Sequence, residues 1–472
     1  MPAASPAAPP LPPLLPPLSP RREIARIAVP VSLEFTLMLV LNFVNQVVVG
    51  ALGATAIAAV GFASSLTFIV LLTLGALGSS VSILVARAHG AGRRAEMDRT
   101  VAAALTCGLV LAALLSLPLS FFAPGLLRLT GASAGVAALG ADYLRLSALA
   151  LAPAVLGMVL SGVMRSLGHA RSPMVATFVT VVLNTLLGYA LVFGLGPFPR
   201  LGVAGAGWAT LVTALLKLSI LLAQVYGPRR HLGRALAGWA WPHGWPQWRT
   251  VLGPLLLLAV PLGITELAWS GGTFLYNVVF QRLGDEALAA AQIVATLEGV
   301  FIVGSIGLMS ATTALLGRAL GQGDAQGAGV WTRRLLRVGL HTGVGFGVLF
   351  ALSSLLLGLL FRGVGSEVQQ YAVLGILINA AFQVVKVRNM IVGAGVLPSG
   401  NDTGGVILGD VVGAFVVGLP LAVLLGLYTP LGVAGVFVAR VVEETVKMGI
   451  FHWRAGKLKW DVLAAEQRAE AA

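Results

Sequence analysis

From Phe35 to Ala86 the chain carries no Asp, Glu, Lys or Arg. A run of that length leaves a soluble domain no charged face for water, but it is long enough to cross a bilayer twice at about 20 residues per helical pass. Lipid offers the backbone no hydrogen-bond partners, so passes of this length are expected to be helices. The small residues of "GALGATA" mark the hairpin between the two passes. Further charge-free runs, Val101 to Leu127, Ser172 to Pro199, Val338 to Phe361 and Val411 to Ala439, carry the pattern to the far end of the chain. Only 10% of residues are charged, against about 25% in ordinary soluble domains. The expected fold class is therefore an all-α integral membrane protein, with no room for a soluble domain.

Twelve spans are predicted, near 25–49, 54–86, 100–123, 136–162, 173–195, 203–227, 250–277, 286–317, 334–360, 368–395, 404–427 and 431–453. The net charge of +13 would suggest an anionic partner in a soluble protein, so its distribution matters. With the amino terminus inside, 21 of the 31 basic residues fall on internal segments and five on external ones. That asymmetry places both termini in the cytoplasm. It also accounts for the basic excess without nucleic acid, through topology and attraction to anionic lipid. The proline-rich residues 1–22 read as a disordered cytoplasmic tail without the apolar core of a signal peptide. Residues 23–227 and 250–455 form two six-helix lobes, 228–249 an interfacial linker rich in Arg and Trp, and 456–472 a cytoplasmic tail. The single Cys107 lies in an apolar run and excludes a disulfide framework.

The two lobes are copies of one unit. "VVVGALGATAIAAV" (47–60) resembles "VVFQRLGDEALAAA" (278–291), and "LVARAHGAG" (84–92) resembles "LLGRALGQG" (315–323), both at an offset of 231. Pro30 matches Pro261 at the same offset, and "LGVAGAGWAT" (201–210) matches "LGVAGVFVAR" (431–440) at 230. Six spans is an even number, so both copies enter the membrane in the same direction, as parallel repeats about an axis along the membrane normal. Such a pair encloses a central cavity at its interface and points to a monomeric carrier working by alternating access.

The stretch "FVNQVVVGALGATAIAAVGFASS", ending in "LVARAHGAG", resembles the multidrug and toxic compound extrusion (MATE) family of cation-coupled antiporters. So do "RSPMVATFVTVVLNTLLGYALVFGLGPFPRLGVAGAGWAT", "LGDEALAAAQI", "GNDTG" and "VARVVEETVKMGIFHWRAGKLKW", in the family's order over residues 25–460. The resemblance implies export of amphipathic or cationic small molecules across the plasma (inner) membrane, driven by inward Na⁺ or H⁺, with no cofactor. It also implies membership of a larger group that includes uncoupled carriers and flippases of lipid-linked precursors. Two departures stand out. The family's span 1 Asp position holds Asn45, and the Asp expected four residues after Asn184 is Gly188.

An ionisable group inside a span is costly and therefore a functional candidate. Glu34, Asn42 and Asn45 form a polar stripe on the first span, with Asn184 across from them. Glu266 follows Pro261 nearly as Glu34 follows Pro30, and Glu298 falls at mid-membrane depth, where burial would suit reversible protonation. These six are the candidates for the coupling-ion or substrate path; interhelical hydrogen bonding is the bland alternative. Lys386, Arg388, Asp402, Asp410, Arg440, Glu443, Glu444 and Lys447 balance four cations with four anions, as an internal charge network or gate would. The pairs Arg440–Glu444 and Glu443–Lys447 have helical i,i+4 spacing. Trp269, Phe274, Tyr276 and Phe382 suit a cavity for organic cations or ordinary packing. The six histidines lack paired metal-ligand spacing, and no G-x-x-x-x-G-K-[ST] phosphate loop is present. Neither metal nor ATP chemistry is indicated, and an enzyme is not expected. Asn45→Asp restores the missing carboxylate, and transport by this variant in proteoliposomes is expected to depend more steeply on an imposed cation gradient than that of the parent.

Overall fold

A computed structural model describes residues 19–129, 134–226, 244–360 and 365–469. Residues 1–18 of the expected tail and the linker stretch 227–243 lie outside the described residues, whereas residues 20–22, expected in the tail, begin the first helix. Twelve long helical segments follow the expected order. They are α1 (Pro20–Gly50), α2 (Ala54–Gly90), α3 (Arg94–Phe121), α4 (Ala134–Ser166), α5 (Arg171–Phe193) and α6 (Val203–Tyr226) in the first lobe. The second lobe holds α7 (Gly244–Leu283), α8 (Asp285–Gly321), α9 (Ala325–Ser353), α10 (Ser366–Ala381 and Gln383–Ser399), α11 (Thr403–Leu427) and α12 (Gly432–Gly456). Residues 244–249, expected in the linker, instead begin α7. Within the expected carboxy-terminal tail, Trp460–Ala469 forms a further helix, α13.

Ten of the segments are long and apolar enough to span a bilayer, and the two limbs of α10, bent by 53°, make an eleventh. The twelfth, α12, carries Arg440, Glu443, Glu444 and Lys447 along its length. Its charges lower its apolar character, but its partners neutralise them.

The duplication is visible in the packing. In each lobe the second helix packs on the fourth, the fourth on the sixth, the fifth on the sixth and the first on the fifth. The turns repeat as well. Gly53 and Gly284 take φ of 105° and 127°, Gly92 and Gly323 take 72° and 69°, and Gly202 and Gly432 take 56° and 51°. Gly168, with φ of 82°, has its counterpart in Asn401, the one non-glycine residue with positive φ among those described, at 61°. Asparagine is among the few L-residues that tolerate this region.

The lobes touch through α1 against α8, α2 against α7, and α2 against α8. At the end of the bundle that carries residue 20 and residue 456, α2 and α8 cross backbone to backbone. A Cβ on Gly90 would overlap the Arg318 carbonyl, and one on Gly321 would overlap the Arg87 carbonyl. These are equivalent positions of the two repeats, and close crossings of this kind need small residues. Polar contacts add to the closure: Arg318 reaches Glu23 at 3.8 Å, the Arg87 guanidinium donates to the Ser399 carbonyl, and Arg93 donates to Gln467 of α13 at 2.7 Å. The close cross-lobe contacts at Gly307, Gly317 and Gly321 all lie in this half of the helices. Toward the other end of α1, Asn42, Phe43, Gln46 and Val47 are exposed. The two lobes are thus held together at the end bearing the termini.

Gly321→Ala inserts a methyl group into this crossing. It is expected to destabilise the protein by about 1–3 kcal/mol, the usual cost of overpacking, read as a lower melting temperature in detergent. Gly299, which has open space around it, is the matched control for Ala substitution.

Candidate functional site

In the first lobe a buried ionic cluster forms around Glu34. Glu34 on α1 is 2% exposed. Its Oε1 lies 3.2 Å from Lys217 Nζ on α6 and accepts a hydrogen bond from Thr177 Oγ1 on α5 at 3.3 Å. Arg165 Nε on α4 stands 3.9 Å from Oε2, which has no hydrogen bond of its own. Four helices therefore converge on one carboxylate. Asn184 points elsewhere within the lobe, donating to Thr213 Oγ1 at 2.9 Å and leaving its Oδ1 buried and unpaired. Gly188 packs against Ala209 of α6, with room there for a methyl group at 3.6 Å. The polar stripe expected on α1 divides accordingly. Glu34 is locked inside the lobe, whereas Asn42 is exposed and Asn45 half-buried.

The second lobe distributes its charges over three places rather than the single network expected. In the first, Glu298 on α8 is buried and receives the Lys386 ammonium from α10. Gln383 also donates to it at 3.0 Å, and Lys386 is shared with Asn379 Oδ1 at 2.7 Å. The bend of α10 at Phe382 separates Asn379 from Gln383 and Lys386, and so turns all three toward α8. Glu298 is therefore an ion-paired carboxylate, not the isolated one expected from depth alone.

The second place is built on α12. Lys447, 4% exposed, contacts Glu443 Oε1 at 2.6 Å, Asp410 Oδ1 at 3.6 Å and Glu444 Oε1 at 3.9 Å. Tyr276 OH donates to Glu443 Oε2 at 2.6 Å, and Asn389 donates to Glu444 Oε2 at 2.8 Å. The Glu443–Lys447 pair is present as its spacing suggested. The Arg440–Glu444 pair is not formed, because Arg440 stacks over the Tyr276 ring, 5.4 Å from its centroid. A π-helical turn of α11, Val412–Gly418, wraps this cluster. Its glycines matter: a Cβ at Gly413 would come within 2.6 Å of Lys447 Cγ. Such turns recur at functional sites.

The third place lies at the end bearing the termini, outside the spans. Burial works against a charged Asp402, but its two hydrogen bonds from Arg454, at 2.8 and 2.5 Å, and one from the Gly405 N–H hold its carboxyl below the usual range. It also caps α11. Within the helices beside it, Arg388 of α10 meets the His452 ring of α12 at 2.8 Å.

Glu266 on α7 stands apart. It is half-buried and within electrostatic reach of Asp410, and no hydrogen bond or ion pair holds it among the described residues. Of the aromatics, Tyr276 is buried on Glu443, while Trp269 and Phe274 are exposed. Phe382 borders an apolar crevice of about 430 Å³ between α10 and α12. Sequence reasoning passed over Lys217 altogether and counted Arg165 only as a basic residue at a helix end. The signal was available, because Lys217 and Lys447 share the 230-residue offset of the "LGVAG" motifs.

Comparison with known proteins decides the family. The profile of the MatE family matches residues 30–190 and again 261–424, a double match at the offset of the repeat. The chain belongs to the MATE family. This MATE protein is 30% identical over 449 residues to a probable multidrug resistance protein NorM from Bradyrhizobium diazoefficiens, covering 91% of each chain. It is also 30% identical over 374 residues to its namesake in Rhizobium meliloti, covering 77% of this chain and 78% of the other. Its fold matches a solved MATE transporter of the MOP superfamily in an outward-facing conformation, with a TM-score of 0.83 at 20% identity over 93% of this chain and 96% of that one. A MATE crystal structure in a straight conformation gives the same score over 95% and 97% of the two chains. Membership makes it a membrane transporter built from two parallel six-helix repeats.

Removing one partner of a buried ion cluster leaves uncompensated charge, at a cost of about 3–5 kcal/mol. Lys447→Met is expected to lower the melting temperature and the yield of folded protein, and adding Glu443→Gln to recover part of both.

Proposed function

We propose that this MATE protein is a monomeric exporter of amphipathic or cationic small molecules in the plasma (inner) membrane, coupled to inward Na⁺ or H⁺ through Glu266. The observation that carries this reading is the partner status of the membrane carboxylates. Glu34 and Glu298 each have a lysine, and Asp410, Glu443 and Glu444 share one. Among the described residues, Glu266 is the carboxylate away from a helix end with no fixed counter-ion. A group of this kind gains most from binding a mobile cation or a proton, since nothing inside the protein already compensates its charge. The nearby Asp410 adds negative potential that favours a cation. The names of the NorM relatives support multidrug export as the activity.

The distribution of basic residues supports a cytoplasmic location for both termini. In that orientation the cleft is sealed on the cytoplasmic side by the α2–α8 crossing and faces outward, the state in which an antiporter releases substrate and takes up its coupling ion. Inward rocking would break the Arg318–Glu23 and Arg93–Gln467 contacts. The half-buried and exposed amides Asn45, Asn42 and Gln46 would then line the substrate path as neutral hydrogen-bonding groups. An uncoupled facilitator or a flippase of lipid-linked precursors is the second reading, favoured by Asn45 and Gly188.

Purified protein in liposomes, with Na⁺ and proton gradients imposed separately, tests both readings by the movement of ethidium. One gradient is expected to drive accumulation by the parent. Glu266→Gln is expected to lose the driven component, with a drop of at least about tenfold, as for removal of more than 1.4 kcal/mol of coupling, while keeping downhill flux; Glu266→Asp should regain part. Driven transport by Glu266→Gln equal to that of the parent would remove this residue from the mechanism. Parent transport indifferent to both gradients would favour the facilitator.

A further inference from the structure

Lys217 and Lys447 are the same residue of the repeat. Each lies sixteen positions after the leucine that opens its "LGVAG" motif, on the last helix of its lobe, and each is drawn onto carboxylates inside that lobe. The two copies differ in what they meet. Lys447 faces three carboxylates, Glu443, Glu444 and Asp410, giving that group a formal charge of −2. Lys217 faces only Glu34, and Arg165 adds a second cation, so the first-lobe group stands at +1.

The first lobe has the framework of an ion site without the charge for one. Thr177, Thr180 and Asn184 are spaced i, i+3, i+7 on α5 and are all buried. They face a stretch of α6 with Thr210, Thr213 and Lys217 at the same spacing. Two acceptors in this seam, Glu34 Oε2 and Asn184 Oδ1, are buried without hydrogen bonds. Asn45 and Gly188 add no charge. A mobile cation entering the seam would meet one carboxylate already held by an ammonium at 3.2 Å and a guanidinium at 3.9 Å, and like charges at such distances oppose it strongly at low dielectric.

We propose that Lys217 is a fixed internal cation that occupies the place of a mobile one in the first lobe, so that this lobe works without binding a coupling ion. Lys217 is in this sense a positioning residue that sets where coupling occurs. The inference rests on the reading of the protein as cation-coupled through the second lobe, and it accounts for how the missing first-lobe carboxylates are tolerated. Glu34 then has a counter-ion that travels with the protein.

The test is made in a Glu266→Gln background, which removes the second-lobe carboxylate without a fixed counter-ion whether or not it is the coupling site. Melting temperature in detergent is followed as Na⁺ replaces choline at constant ionic strength, and separately as pH falls. The charged groups facing Glu34 are Lys217 from α6 and Arg165 from α4, with α5 offering the neutral Thr177. Glu266→Gln alone is expected to show no Na⁺ response. With Lys217→Gln added, Glu34 loses its ammonium, and Na⁺ or acidification is expected to raise the melting temperature by about 2–4 °C, the effect of a ligand bound only by the folded state. Lys217→Arg should show no response, and adding Glu34→Gln to the responsive variant should abolish it. Should Lys217→Gln fold poorly, the same binding is read as recovery of folded yield when Na⁺ is present during extraction. No response or recovery with Lys217→Gln overturns the proposal, as does a Na⁺ response with Lys217 in place that Glu34→Gln abolishes. Failure of the Glu266 transport test leaves these melting results independent, so the two failures are told apart.

Discussion

A charge carried into the hydrocarbon layer must be neutralised by the protein, because lipid supplies neither water nor counter-ions and the cost otherwise runs to several kcal/mol. The arrangement of the lobes follows from this. Glu34 gathers α1, α4, α5 and α6 around one carboxylate, and Lys447 joins α11 to α12, with Tyr276 of α7 bound to the same Glu443. These clusters join the first helix of each lobe to its last. They give each six-helix unit an internal tie that hydrophobic packing does not supply in a bilayer, where the surrounding lipid is as apolar as the helix surfaces.

The same scaffold, used twice, has been charged differently. Thr213 in the first lobe corresponds to Glu443 in the second, at the 230-residue offset that relates Lys217 to Lys447, and Thr177 corresponds to Asp410, at the 233-residue offset that relates Gly168 to Asn401. Two hydroxyls in one lobe thus stand where the other has two carboxylates, on the same pairings of helices. Fold and electrostatics are separable in this architecture because the backbone bonds are satisfied within each helix. Polar side chains inside the bundle can then vary as long as each finds a partner.

Most of the fold was legible in the sequence because span length and repeat offset are properties of composition and order. Phe35 to Ala86 had to be two helices, and the "LVARAHGAG" and "LLGRALGQG" copies had to be equivalent. The break in α10 was not legible: no proline marks Phe382, and the bend serves the tertiary pairing of Lys386 with Glu298. The start of α7 at Gly244 was hidden by the Trp and Pro content of the stretch before it. The site was read less well. Spacing on one helix brought Glu34 and Asn42 onto a common stripe, but spacing says nothing about α4 and α6, which hold Glu34 inside the lobe. Glu298 and Arg440 were misjudged for the same reason, since their partners, Lys386 and Tyr276, lie 88 and 164 residues away in sequence. Only the i,i+4 pair of Glu443 and Lys447 could be read locally.

Helix α13 packs on α8 and α9 of the second lobe, while its Gln467 is held by Arg93 of the first. It follows all twelve spans in the chain, so during synthesis it leaves the ribosome after both lobes. Until then the two lobes lack this bridge and are free to enter the bilayer and settle one at a time. This strap across the lobes is therefore the last of their contacts that translation makes available.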